Sequence, residues 1–235
     1  HVHRQIYDKR PCLQADYGLL VDKTTKQEIP VLTCIDVTTG MATSSVVGQK
    51  GANDYAKAEL RRFIHEIGRT QAILQTDQEA SIRNLARGVA TLTGLAIRTT
   101  PAYAHQSNGS IERYHRNLWD NVRTLREAVV ENYGVEFKAY DPLMTWAVKH
   151  ATWLYNRHQL HKDGKTSYER RWNSAYQRTI CELAETVLYK EMSPTNPKMD
   201  SAWSYGLWLG KCTYSDEHYV GTKQGVYRTI HIKRL

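Results

Sequence analysis

The stretch TTPAYAHQSNGSIERYHRNL (residues 99–118) decides how the chain is read. It begins at the end of a β-type run, breaks at Pro101, passes through a polar segment with Gly109, and enters a long helical pattern. Ile111, Leu118, Val122, Leu125 and Val129 step by seven, four, three and four residues, the spacing of one buried helix stripe. That helix is expected to start near Ser107 and to stop at Gly134.

Working back from it, LAIRTT reads as a strand. AILQTD reads as another, leading into a helix with Ile82, Leu85, Val89 and Leu92 on its apolar side and Gly94 at its end. An earlier helix carries Tyr55, Ala56, Leu60, Phe63, Ile64 and Ile67, with Asn53 as its cap and Gly68 as its stop. The first 50 residues hold three strands: PCLQADYGLLVD, IPVLTCIDV and MATSSVV. Their connections are too short for crossovers, so an antiparallel meander is expected. Working forward, Asp141 and Pro142 open one more helix, through Trp146, His150, Trp153 and Leu154. The order β-β-β-α-β-α-β-α-α predicts a mixed α/β sheet, three antiparallel strands followed by parallel ones, flanked by helices. From about Thr179 the texture changes to short aromatic strands, ETVLYKE, WSYGLWLGK, HYVGTK and GVYRTIHI, with Pro194 and Pro197 in a loop between the first two. These predict a small β-barrel.

Composition narrows the function. The chain has 235 residues, 32 Lys plus Arg against 24 Asp plus Glu, and a formal charge of +8. That balance favours a polyanionic partner and argues against a disordered acidic chain. No apolar run approaches the roughly 18–20 residues of a membrane helix, so no membrane partner is expected. The opening HVHRQIYDKR has no signal-peptide core and no Met, which reads as a fragment of a longer chain. Cys12, Cys34, Cys181 and Cys212 form no C-x-x-C pair and suit neither a zinc site nor a disulfide framework; reduced thiols are the simplest reading.

Three acids stand where sheet topology collects chemistry. Asp16 lies inside the first strand, Asp77 at a strand end and Glu112 in the first turns of the long helix. Hard divalent cations take carboxylate, water and phosphate oxygens, and three carboxylates can hold two such ions about 4 Å apart for an in-line phosphoryl transfer. Each acid also has a plainer reading. Asp77 can cap the helix that follows it, and Glu112 can pair with His115 or Arg116 one turn on. A carboxylate inside a strand, between Ala15 and Tyr17, is harder to explain without a partner.

The segments LQADYG, IPVLTCIDVTTG, LQTDQEASIRNLA and TTPAYAHQSNGSIERYHRNL together resemble the retroviral and retrotransposon integrases encoded in Pol polyproteins. Integrase cores of this kind have one Asp in a strand, a second Asp after a later strand, and a Glu about 35 residues further on in a Q-S-x-G-x-x-E-R helix start. Asp77 and Glu112 are 35 positions apart here, and KTSYERRW resembles the T-P-Y-E stretch that follows many retrotransposon cores. The resemblance implies an RNase H-like catalytic core over residues 10–172 and an SH3-like DNA-binding barrel over 179–235. It implies a DDE enzyme that trims element DNA ends and joins them to target DNA. Asp16, Asp77 and Glu112 would be its catalytic residues and the ligands of two Mg²⁺ (or Mn²⁺) ions. It further implies a homo-oligomer acting in a host nucleus, delivered by way of a cytoplasmic virus-like particle. Asp36, in TCIDVTTG, is a second candidate for the first acid. The family's histidine–cysteine zinc module is absent from the sequence, and His1 and His3 alone do not rebuild it. A DDE transposase or nuclease of the same fold, and an element-derived DNA-binding protein without catalysis, remain as alternatives.

Candidate DNA contacts follow on the same helix. Arg113, Arg116 and Arg123 can hold phosphates, or can simply form a solvated face. The loop with His105 and Asn108 can close over a DNA end, or be a plain connector. His150, His158 and His161 lack the partners of a metal site and read as structural or surface residues. Trp203, Tyr205, Trp208, Tyr214 and Tyr219, interspersed with Lys211, Lys223, Arg228, Lys233 and Arg234, suit nucleic acid and equally suit an aromatic barrel core.

Overall fold

The computed structural model describes residues 9–21, 26–100, 108–190 and 202–235. It divides into two compact units. The first comprises residues 1–19 and 30–115, the second residues 20–29 and 116–235.

The first unit is built on a five-stranded sheet of β1 (Cys12–Val21), β2 (Glu28–Asp36), β3 (Ala42–Val46), β4 (Ile73–Thr76) and β5 (Ala96–Thr99), in the order β3-β2-β1-β4-β5. β2 and β3 pair antiparallel, whereas β1 with β4 and β4 with β5 pair parallel. Helices α1 (Asp54–Glu66) and α2 (Ala80–Thr93) supply the connections into β4 and β5. As expected, Asn53 caps α1, accepting the Ala56 N–H at 2.8 Å, and Gly94 closes α2 in the left-handed conformation. Asp77 is not the cap of α2. Glu79 holds that position, and Asp77 instead accepts the Glu79 N–H at 3.0 Å in a turn just ahead of the helix.

Alternation along the strands gives the sheet two unlike faces. Leu13, Ala15, Tyr17, Leu32, Cys34 and Leu74 pack with Leu60, Phe63 and Ile64 of α1 and Ile82, Leu85 and Val89 of α2 in one apolar core. Tyr55 and Leu92, assigned to the helix stripes from spacing, are exposed. The intervening residues include a polar set, Gln14, Asp16, Thr33, Ser44 and Gln75. This polar face receives the start of α3 (Gly109–Tyr133).

In the second unit, α3 continues to Gly134, followed by α4 (Pro142–His158) and the short α5 (Ser167–Trp172). Asp141 precedes α4 but does not cap it through its side chain, which accepts the Lys138 N–H at 2.6 Å. α5 was not foreseen; it is set by a capping box in which Thr166 and Glu169 bond each other's backbone N–H.

β6 (Thr186–Lys190), β7 (Trp203–Lys211), β8 (His218–Thr222), β9 (Gly225–Thr229) and β10 (Ile232–Arg234) form an antiparallel sheet in the order β10-β6-β7-β8-β9. The run GVYRTIHI, read as one strand, is two, interrupted at Ile230 and His231. The sheet curls: Tyr189 of β6 and Tyr227 of β9 stack at 5.9 Å although two strands separate them in the order. The register shift between Trp208 and Gly210, with Gly210 at φ 126°, supplies the bend. Val187, Tyr189, Trp208, Val220 and Cys181 fill its interior.

Candidate active site

The register of the parallel strands sets the site. β1 and β4 pair Cys12 with Ile73, Leu13 with Leu74 and Gln14 with Gln75. Continued two residues, the same register brings Asp16 level with Asp77. Asp16 is half-buried, and its Oδ1 accepts the Tyr17 N–H at 2.7 Å. Burial pushes its carboxyl up to about 6, helped by the neighbouring charges of Asp77 and Glu79. The Tyr17 hydrogen bond and the Lys50 ammonium oppose the rise.

Glu112 sits on the first turn of α3, and a series of polar ties fixes that turn on the sheet. Asn108 Oδ1 accepts from Gln75 Nε2 at 3.0 Å and from Thr100 Oγ1 at 2.9 Å. The Ile111 N–H donates to Gln14 Oε1 at 3.0 Å. The hydroxyls of Tyr114 and Ser44 meet at 2.6 Å. Thr33 Oγ1 donates to the Asp16 carbonyl at 2.9 Å and contacts His115 Nε2 at 2.6 Å. A hydroxyl has one proton, so His115 is the donor in that second bond. Burial holds the His115 imidazole down to about 4, which keeps it neutral in this role. Gln14, Thr33, Tyr114 and His115 thus bracket Glu112 with contacts to β1, β2 and β3.

Glu112 itself is exposed and pairs with neither His115 nor Arg116. Among the described residues, no three His, Cys, Asp or Glu side chains stand close enough together to hold a metal ion. The donor set nevertheless fits a hard cation at the Asp16–Asp77 pair. Asp77 is near enough to Asp16 for its charge to push the Asp16 carboxyl up, a divalent cation would relieve that repulsion, and Mg²⁺ is commonly held by one or two carboxylates with water and phosphate. Asp36, the rival first acid, is fully buried and engaged. Arg69 Nε and Nη2 donate to its Oδ2 at 3.0 and 2.7 Å, the Thr39 hydroxyl donates to the same oxygen at 2.7 Å, and the Thr38 N–H donates to Oδ1.

Of the expected DNA contacts, Arg113 and Arg116 are exposed on α3, and Arg123 pairs with Asp120 at 3.2 Å. Asn108 spends its carbonyl on the sheet. His105 and Ser107 lie outside the described residues. Sequence reading missed Lys50, whose ammonium donates to both Glu79 oxygens at 3.0 and 3.1 Å. It also missed the Gln14, Thr33 and His115 ties. For Gln14 the available signal was its alternation, with Asp16, against Leu13, Ala15 and Tyr17; Lys50, Thr33 and His115 had no local signal.

In the second unit, His150 is buried edge-on against Trp208 at 5.0 Å, and His161 Nε2 meets the Ser167 hydroxyl at 2.8 Å. Trp208 is core, while Tyr205 and Tyr214 are exposed and Lys233 lies over the Trp203 ring at 4.2 Å.

Comparison with solved structures decides the fold. An intasome structure of simian T-cell lymphotropic virus, in complex with PP2A regulatory subunit B56 gamma, contains a chain that matches with a TM-score of 0.54. The identity is 15%, over 95% of this chain and 77% of that one. The HTLV-2 integrase catalytic core domain, solved with magnesium, matches in a trimeric form with a TM-score of 0.51 at 14% identity, over 68% of this chain and 95% of that one. Its dimeric form matches with a TM-score of 0.50 at 15% identity, over 68% and 94%. The chain has an integrase-like fold. No protein-family model and no curated relative matches the sequence. The mixed five-stranded sheet flanked by helices matches the integrase core fold, and the second antiparallel sheet accords with a C-terminal barrel.

Proposed function

We propose that the protein is a DDE integrase that processes the 3′ ends of retroelement DNA and transfers them into target DNA. The carrying observation is the β1–β4 register, which, continued two residues past Gln14 and Gln75, brings Asp16 of β1 level with Asp77, the residue after β4, while Glu112 lies in the first turn of α3. The integrase-like fold supports the reading, as does the +8 charge, which suits a polyanion. Asp16 and Asp77 would hold Mg²⁺ or Mn²⁺, with Glu112 completing a two-ion site when DNA engages α3. Bound metal would supply an activated oxygen nucleophile and neutralise charge on the reacting phosphate. This chain's residues orient it: Asp16 and Asp77 from the strands, Glu112 from α3, and Arg113 and Arg116 on the DNA backbone. Residues 10–172 would be the catalytic core and 179–235 a DNA-binding barrel, in a homo-oligomer working in a host nucleus after delivery by a cytoplasmic virus-like particle.

A second reading, an element-derived DNA-binding protein without catalysis, is favoured by one observation: the three acids do not stand in a single metal-binding group. Product analysis separates the readings. A labelled duplex with a recessed 3′ end, incubated with Mg²⁺ or Mn²⁺, should give products joined to a second duplex without hairpins. Hairpin-ended products would indicate a transposase of the same fold. Salt-sensitive binding with no cleavage or joining would indicate the binding module.

A further inference from the structure

Lys50 lies between β3 and α1, in a segment fastened to the strand that carries Asp16. The Tyr17 hydroxyl donates to the Gly51 carbonyl and accepts the Gly51 N–H, both at 3.1 Å. Tyr17 is the residue after Asp16, and the Lys50 ammonium stands 5.8 Å from its ring centre. From there it reaches both oxygens of Glu79. Glu79 also accepts the Ser81 hydroxyl and, through its N–H, is bonded to Asp77. The ammonium is therefore held between the neighbour of one site acid and a carboxylate two residues past the other.

Charge makes the placement informative. Asp16, Asp77 and Glu79 together form an acidic surround that repels a phosphate, and Lys50 opposes it. Both side chains of the Lys50–Glu79 pair are partly exposed, 30% and 39%, and pairs of that kind are weak. A phosphate offers an ammonium an equivalent charge-assisted contact. We propose that Lys50 is a phosphate-contacting residue of the Asp16–Asp77 site, and that Glu79 holds its ammonium until a DNA backbone phosphate takes it over. The inference rests on the nucleic-acid reading of this site. Glu79 has two effects under it: it pre-positions the lysine, and its own charge rejects small anions that arrive without further contacts to the protein.

The test is the salt dependence of binding to a short duplex with a recessed 3′ end, for the whole chain carrying Lys50→Met, Lys50→Arg or Glu79→Gln. Strand transfer by the wild type is run alongside. One lost phosphate contact lowers the slope of log affinity against log salt by about 0.9. Lys50→Met should show that drop, Lys50→Arg should restore the slope, and Glu79→Gln should bind several-fold tighter. Circular dichroism confirms that the variants are folded. If all three variants keep the wild-type slope and affinity, Lys50 is only a structural partner of Glu79 and the proposal fails, whether or not the wild type joins DNA. If the slope falls while the wild type joins nothing, the phosphate contact stands and the catalytic reading fails.

Discussion

Replacing Thr33 by Val should loosen the link between the strand of Asp16 and the helix of Glu112. Thr33 is fully buried, and its hydroxyl both donates to the Asp16 carbonyl and receives the His115 Nε2–H. Valine keeps the volume and removes both bonds, leaving a buried imidazole N–H and a buried carbonyl without that partner. At about 1–3 kcal/mol for each of the two buried groups so stranded, the expected loss of stability is about 2–6 kcal/mol. Thr33→Ser keeps the hydroxyl and gives up one methyl group, a loss of about 1 kcal/mol. The readout must come from the first unit. All six tryptophans lie at or beyond Trp119, so fluorescence reports on the second unit alone. Amide hydrogen exchange of β1 and β2 is the suitable measurement, with far-UV circular dichroism in urea beside it. The order wild type, Ser, Val in falling protection is predicted. Val equal to wild type, or Ser worse than Val, would refute the idea that this hydroxyl fastens the site.

Other outcomes follow from the buried titratable groups. His115, His150 and His218 are each held down to about 4 by burial, below the ordinary histidine value near 6.5. Their contribution is complete above about pH 6.5 and is lost as pH falls toward 4, because the unfolded chain takes up the protons first. Asp16, raised to about 6, works the other way between about 4 and 6, but it is one group against three. The urea midpoint should therefore fall between pH 7 and pH 4.5, and an unchanged midpoint would contradict the burial of these imidazoles. Asp16→Asn should abolish joining while raising the urea midpoint of the metal-free protein at pH 7, since it removes a charge that burial disfavours. A destabilised Asn variant would show that the carboxylate serves the fold instead.

Much of this architecture was legible in the sequence because it rests on local rules. The seven, four, three and four spacing from Ile111, the cap at Asn53 and the stops at Gly94 and Gly134 each act within a few residues. Alternation of Gln14 and Asp16 with Leu13 and Ala15 announced a strand with one polar face, and the parallel register then did what the topology required of Asp77. What was hidden depends on partners distant in the chain. Lys50 and Glu79 are 29 residues apart, Thr33 and His115 82, and no local pattern relates them. Asn108 reads as a loop residue until the sheet brings Gln75 and Thr100 to its oxygen. The break between β9 and β10 falls in a run, GVYRTIHI, with no proline and no glycine after Gly225 to mark it, so only the return pairing with β6 reveals it.

The central claim is that Glu112 joins Asp16 and Asp77 in metal-dependent DNA joining. Strand transfer by Glu112→Gln, set against wild type with Mg²⁺ or Mn²⁺, tests it most directly. Glu112 is exposed, so the substitution should leave the fold intact. The account predicts joined products from the wild type, none from the variant, and near-equal DNA binding by both. Joining that survives Glu112→Gln would contradict it.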